Sequence, residues 1–521
     1  MRVNCDRARV IAMLRDVHES ATRIEHLACF MTQAPEVSVR NARMSWALAL
    51  LAGTALLASA ALYNGYPLTF WDTRVYIESA TTLMPRGDRL IGYGFLLHAA
   101  SWLGTLWPIV IAQCALLAWL LQRVLARLRP GLGVTAYLTC IGLLASCTAL
   151  PWIAGQLMAD IFTPVLVLAL FLYIEDESLT KLRRLALLAL VALCVTVHLT
   201  HLPLGLALLA LAWLWLRARK AVALQRRLLA PALALLFGLA AIGGWNTVRV
   251  GRWTLASGSD AFVFGHLVES GIASRMLDAH CPEREYWLCP YRARLPMGTD
   301  ELLWVDALNL KPWDHPAAVS GEVSRLLRDS LREVPLLHAR VAALSTLRVL
   351  GRFATGEGLD SDARSLIEEK LQTLAPGDVR AFEASRQQRD AIPVATLRLL
   401  HTPIGWALIA LALLALTRWA WRKDLGTAEL RFLLFAVTAW FLNGVLSANL
   451  SGIYDRYESR LVWLFGVWLL AWVKMPVFAS WRARWRGVET KVSLITRVTR
   501  ASRANTALRT RPHTSRPQTR S

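Results

Sequence analysis

Apolar runs of the kind that begins at Leu106, LWPIVIAQCALLAWLL, recur along this chain with few charges inside them. A stretch of about 18 such residues is what a helix needs to cross a hydrocarbon core of ~30 Å. The runs are apolar on every side, whereas helices of a soluble protein would show a polar face at helical period. With 55% hydrophobic residues and 22 Trp in 521 residues, the expected fold is an all-α polytopic membrane protein.

Charge orients the runs. The formal net charge of +21 is unevenly placed: residues 481–521 hold eleven Lys/Arg and one Glu, whereas residues 248–396 hold 18 basic and 20 acidic side chains. Basic residues on one side and near-neutrality on the other follow the positive-inside rule and argue against nucleic-acid binding. Flanking Lys/Arg then give about ten transmembrane helices. Residues 1–44 form a cytoplasmic N-terminal tail, with Met31 and Met44 as alternative starts and no cleavable signal peptide. Residues 45–247 carry helices 1–7 around an outer loop, 64–104. Residues 248–396 form a mainly helical extracytoplasmic domain, 397–478 carry helices 8–10, and 479–521 form a basic, disordered cytoplasmic tail.

Three local readings follow. LIGYGFLLHAASWLG, at 90–104, is expected to be a juxtamembrane helix along the interface. The stretch 185–216 has basic flanks at both ends and is broken by HLTHLP, which fits a hairpin of two short spans better than one tilted helix. AAVSGEVSRLLRDSLREV and VPLLHARVAALSTLRVLGRF read as helices of the outer segment, the second resting on the membrane surface. No internal repeat is present, so an inverted-repeat transporter gains no support.

Under this topology the chemically mixed loops fall on one face. TFWDTRVYIESA (69–80) carries Asp72, Arg74 and Glu78; GQLMADIF carries Asp160; HLTHLP carries His198 and His201; SGIYDRYESRL carries Tyr454, Arg456 and Arg460. Asp72 has two readings, a general base or a structural ion pair or helix cap. Asp160 precedes a span and suits an N-cap. Arg456 and Arg460 stand four apart and share a helix face, where they anchor either a phosphate or the membrane interface. The two histidines lack the further ligands a metal site needs; no metal site is assigned, and dependence on a divalent cation is left open. Cys281 and Cys289 form a disulfide if their segment lies outside the cytoplasm, and remain two thiols otherwise. Nearly charge-free span interiors between Leu106 and Trp245 argue against an ion-coupled transporter.

FWDTRVYIESA after the first span, followed by RLIGYGFLLHAASWLG leading into the second, resembles the GT-C superfamily of polytopic glycosyltransferases over about residues 45–250. That resemblance implies a GT-C-like fold in a bacterial inner membrane; the flanking basic residues already place both termini in the cytoplasm. It implies transfer of a sugar, with inversion, from a polyprenyl-phosphate donor on the extracytoplasmic face to a lipid, glycan or protein acceptor. Asp72 would be the base, and Arg74, Arg456 or Arg460 the phosphate contacts; Glu78, Asp160, His201 and Tyr454 complete the candidate substrate-binding set. The adjacent carboxylate pair common in that superfamily is missing, since Thr73 follows Asp72. The alternatives are a non-catalytic membrane protein and a glycan polymerase or flippase of envelope assembly.

Overall fold

A computed structural model describes residues 43–87, 89–256, 258–422 and 428–473. The expected cytoplasmic tails, Asp88, and the end of the tenth span lie outside the described residues. Those residues form helices and loops with no strand among them; two isolated bridges, Leu68 with Gln156 and Arg86 with Arg89, are the sole sheet-like pairings described.

The chain begins with α1 (Arg43–Leu57) and α2 (Ser59–Asn64), then α3 (Thr73–Thr82) and α4 (Ile91–Ser101). Next come α5 (Trp107–Leu128), α6 (Val134–Cys147) and α7 (Leu150–Ala154). A 3₁₀ turn, Ala159–Ile161, leads into α8 (Phe162–Glu175). The helices α9 (Lys181–Val197) and α10 (His201–Ala218) follow, then α11 (Val222–Arg227) and α12 (Leu229–Val250).

Among the described residues, five helical segments are long and apolar enough to cross a membrane: Trp107–Leu128, His201–Ala218, Gln225–Val250, Val394–Trp421 and Ala428–Leu450. The expectation of ten is met only to that extent. The runs read as spans three, four and five are helical, but α6 and α8 have 14 residues each and α9 has 17. At 1.5 Å per residue, 14 residues reach only about 21 Å. α8 lies inside the bundle: every residue from Phe162 to Tyr173 is buried, which is why its sequence is apolar all round.

The break in HLTHLP is real. α9 ends at Val197 and α10 begins at His201, so two helices occupy 185–216 and the single-helix alternative is excluded. The stretch 90–104 forms α4, but Tyr93, Leu97 and Ala100 are buried and Tyr93 stacks edge-on against Tyr76 at 4.9 Å. α4 therefore packs into the protein as well as bordering its surface.

The segment 248–396 divides. Its first part folds α13 (Asp260–Glu269), α14 (Ile272–His280), α15 (Thr299–Leu303) and α16 (Pro316–Glu333) around a separate core of Phe264, Leu267, Leu277, Leu302, Val323 and Leu326. The Cys281–Cys289 disulfide is formed there. Its second part, with α17 (Pro335–Leu350), α18 (Arg364–Leu374) and α19 (Val379–Glu383), sends Phe353, Ile367, Leu371 and Phe382 into the main core. α17 does not simply lie on a membrane surface. Ser345, Thr346, Val349 and Leu350 are buried, and Thr346 accepts a hydrogen bond from Asn449 at 3.3 Å. The chain closes with α20 (Val394–Arg422), α21 (Ala428–Leu450) and α22 (Arg456–Trp472).

Candidate functional site

The mixed-charge loops of the sequence meet at one end of the bundle, beside the 248–396 segment. Backbone pairing starts the assembly. Leu68 N–H donates to Gly155 O at 2.9 Å and Leu157 N–H to Leu68 O at 2.8 Å, while the Thr73 hydroxyl donates to Leu157 O at 3.1 Å. The TFWD turn is thereby fastened to the loop that carries Asp160.

Asp72 stands at the N-cap position of α3 but makes no capping hydrogen bond. Its Oδ2 instead accepts from Arg89 at 2.7 Å and from Arg456 at 2.8 Å. Burial opposes ionisation, yet the two guanidiniums win and hold the carboxyl down at about 2. Asp160 likewise caps nothing: it lies in the 3₁₀ turn before α8, and its Oδ1 accepts from the fully buried Arg460 at 2.6 Å. The expected N-cap role yields to this ion pair because an arginine buried in the bundle needs an anion.

Arg456 and Arg460 occupy one face of α22, as their spacing predicts. Arg460 also donates to Asn443 Oδ1 at 2.7 Å, and Asn443 Nδ2 donates to Glu458 Oε1 at 2.8 Å. Glu458 is fully buried and its Oε2 finds no partner among the described residues. The Arg456 guanidinium stacks over Phe70 at 4.3 Å and Tyr457 at 5.1 Å.

Other predicted residues fall elsewhere. Glu78 pairs with Arg86 at 3.3 Å where both are half-exposed, and the Arg74 side chain has no ion pair or hydrogen bond among the described residues. Tyr454 donates to Asp300 at 2.6 Å, tying α15 to the loop before α22, with its ring 6.0 Å from the Arg456 guanidinium. His201 is buried with both ring nitrogens used, Nε2 by the Thr163 hydroxyl at 2.9 Å and Nδ1 by Cys194 O at 2.6 Å. It therefore has no nitrogen left for a ligand, and its role is to join α8, α9 and α10. No group of three or more His, Cys, Asp or Glu able to hold a metal occurs among the described residues.

Sequence reading missed Glu357. It sits in Gly356-Glu357-Gly358, where both glycines have positive φ, 99° and 67°. A Cβ on Gly358 would lie 2.0 Å from the Phe70 ring, and one on Gly356 would lie 2.6 Å from Val394. Only glycine permits that backbone and that approach. The turn delivers Glu357 Oε2 to the backbone N–H of Arg456 at 2.8 Å, at the N-terminus of α22. Burial pushes its carboxyl above the usual range, against the pull of Arg456.

Two small spaces adjoin. The first is bordered by Phe70, Trp152, Asp160, Glu357, Arg456 and Ser459. The second is bordered by Phe353, His401, Leu408, Val462 and Trp463. They share Ala149, Thr355 and Ser459, so a space bordered by the charged Asp160, Glu357 and Arg456 adjoins one lined by Leu408, Val462 and Trp463 together with Thr148 and His401. No family model, curated protein or solved structure matches this chain.

Proposed function

We propose that the chain is an integral-membrane glycosyltransferase of GT-C-like layout. It would move a sugar from a polyprenyl-phosphate donor to a lipid, glycan or protein acceptor on the extracytoplasmic face of a bacterial inner membrane. In this reading the shorter helices α1, α6, α8, α9 and α22 complete about ten crossings, and both termini are cytoplasmic. The disulfide between Cys281 and Cys289 supports that orientation, because such bonds persist in oxidising compartments.

The observation that carries the reading is the adjoining pair of spaces. An anionic head and an apolar chain on one substrate call for a cation beside a polar space that opens into an apolar one. Arg456 supplies the cation, while Leu408, Val462 and Trp463 line the apolar side. In this reading Arg456 holds the phosphate by charge-assisted hydrogen bonds, and Asp72, shared with Arg89, keeps its guanidinium in place.

Binding of decaprenyl phosphate to the protein in nanodiscs is the test. Micromolar binding lost in Arg456→Ala supports the reading, and no binding by wild type refutes it. A second reading, a non-catalytic membrane protein, is favoured by the pairing of both Asp72 and Asp160 with arginines, which is what a purely structural cluster requires.

A further inference from the structure

Five carboxylates lie at this end of the bundle near Arg456; Asp455 pairs with Arg352, Glu458 is bound by Asn443 and does not border the polar space, and of the other three two are committed. Asp72 is shared by two guanidiniums and does not border the polar space. Asp160 borders it, but its charge is spent on Arg460. Glu357 also borders the space and has no ion-pair partner side chain among the described residues; it is held by the backbone N–H of Arg456. Two left-handed glycines flank this one side chain, and their turn is pressed against Phe70 on one side and Val394 on the other.

We propose that Glu357, rather than Asp72, is the base that takes the proton from the acceptor hydroxyl. This rests on the glycosyltransferase reading above and goes beyond it by assigning the base. In the step, the acceptor O–H bond breaks and its proton passes to the Glu357 carboxylate. The acceptor oxygen forms a bond to the anomeric carbon from the side opposite the phosphate. The bond between the anomeric carbon and the phosphate oxygen breaks, and polyprenyl phosphate departs with the electron pair beside Arg456. Glu357 then returns its proton to water.

Burial favours the protonated form of Glu357, which makes a carboxyl of raised affinity for protons, a better base than one held near 2. Arg456 opposes this through its N–H and its charge, and Asp455 acts both ways, its charge adding to it and its N–H opposing it; Asp160 borders the same space and is paired with Arg460. As a cap on α22 alone, Glu357 would be replaceable by glutamine, whose amide oxygen accepts the same N–H.

The test uses the full chain in nanodiscs, with decaprenyl phosphate as binding probe and a panel of decaprenyl-phosphate-linked hexoses and pentoses as donors. Glu357→Gln is expected to bind decaprenyl phosphate within about threefold of wild type and to lose transfer by about 100-fold or more. Glu357→Asp is expected to retain partial transfer with a shifted acid limb in its pH profile. Transfer by Glu357→Gln above about a tenth of wild type would overturn the assignment and leave the glycosyltransferase reading intact. Absence of both binding and transfer in wild type overturns the reading and this assignment with it; binding without transfer from any donor of the panel does the same.

A second measurement needs no variant to fold. Dicyclohexylcarbodiimide reacts with protonated carboxyl groups in apolar surroundings. Peptide mass spectrometry of the wild type labelled at a series of pH values is expected to find Glu357 modified increasingly as pH falls and protected by decaprenyl phosphate, while transfer, which needs the carboxylate, declines over the same range. An unmodified Glu357, or modification unaffected by decaprenyl phosphate, counts against it.

Discussion

Arg456 and Asp72 stand 384 residues apart in the chain and meet at 2.8 Å. The contact joins the first turn of α22 to the start of α3, and Arg89 closes on the same carboxylate oxygen. A cation at a helix N-terminus is opposed by the helix dipole, so Arg456 holds that position because Asp72 and the aromatic faces of Phe70 and Tyr457 outweigh the dipole.

The Asp72 pairing makes stability depend on acid. Its carboxyl is held at about 2, below the ordinary 3.8. A depressed native value means that the contribution is fully present above about pH 4 and is lost as pH falls through the native value. The difference corresponds to about 2 kcal/mol. Thermal unfolding in detergent should show wild type losing stability between pH 4 and pH 2 with a larger slope than Asp72→Asn. Equal slopes would mean that the ion pairs are absent in solution.

The Asp160–Arg460 pair is deeper, with Arg460 fully buried. Removing one partner leaves a buried charge alone, so Asp160→Asn or Arg460→Met should each cost about 3–5 kcal/mol. The double variant Asp160→Asn/Arg460→Met should recover most of that loss, because neither member of the pair is left as a lone charge. Melting temperatures of the four proteins decide; additive losses would show the two residues acting independently.

Gly358→Ala should be destabilising through both its φ of 67° and the contact of its new Cβ with Phe70. A cost of about 1–3 kcal/mol is expected. Adding Phe70→Ala should relieve the contact but not the backbone strain, so only partial recovery is expected relative to Phe70→Ala alone. Full recovery would mean that the backbone tolerates an L side chain there.

Loss of the Cys281–Cys289 bond should loosen the α13–α16 subdomain and spare the helical bundle, since its core is separate. For a closed loop this short the chain-entropy model gives about 2.5 kcal/mol. Limited proteolysis of Cys281→Ser should nick within 255–335 first. Early cleavage within the bundle helices would contradict the separation of cores.

The orientation is open to a direct check. Asp314 is exposed, and Asp314→Cys should react in intact cells with a membrane-impermeant maleimide. Labelling only after permeabilisation would place 248–396 on the cytoplasmic side and remove the basis for an extracytoplasmic reaction.

Local features were legible without coordinates because they depend on neighbours in sequence. The apolar runs became helices, HLTHLP became a break, and the four-residue spacing of Arg456 and Arg460 put both on one face of α22. The sorting of mixed-charge loops onto one side likewise followed from flanking basic residues, and those loops do converge.

What each residue does there was decided by distant partners. Asp160 reads as a cap until Arg460 arrives from 300 residues away. His201 reads as a ligand candidate until Thr163 and Cys194 use both of its nitrogens. Glu357 is one of 20 acids in its segment and has no periodic or motif signal; the flanking glycines are the one clue, and they gain meaning only when Phe70 is packed against them. Hydrophobic length and helical spacing are properties of a single stretch of chain, so sequence alone determined the helices. Burial and ion pairing are properties of which stretches meet, and only the tertiary structure decided them.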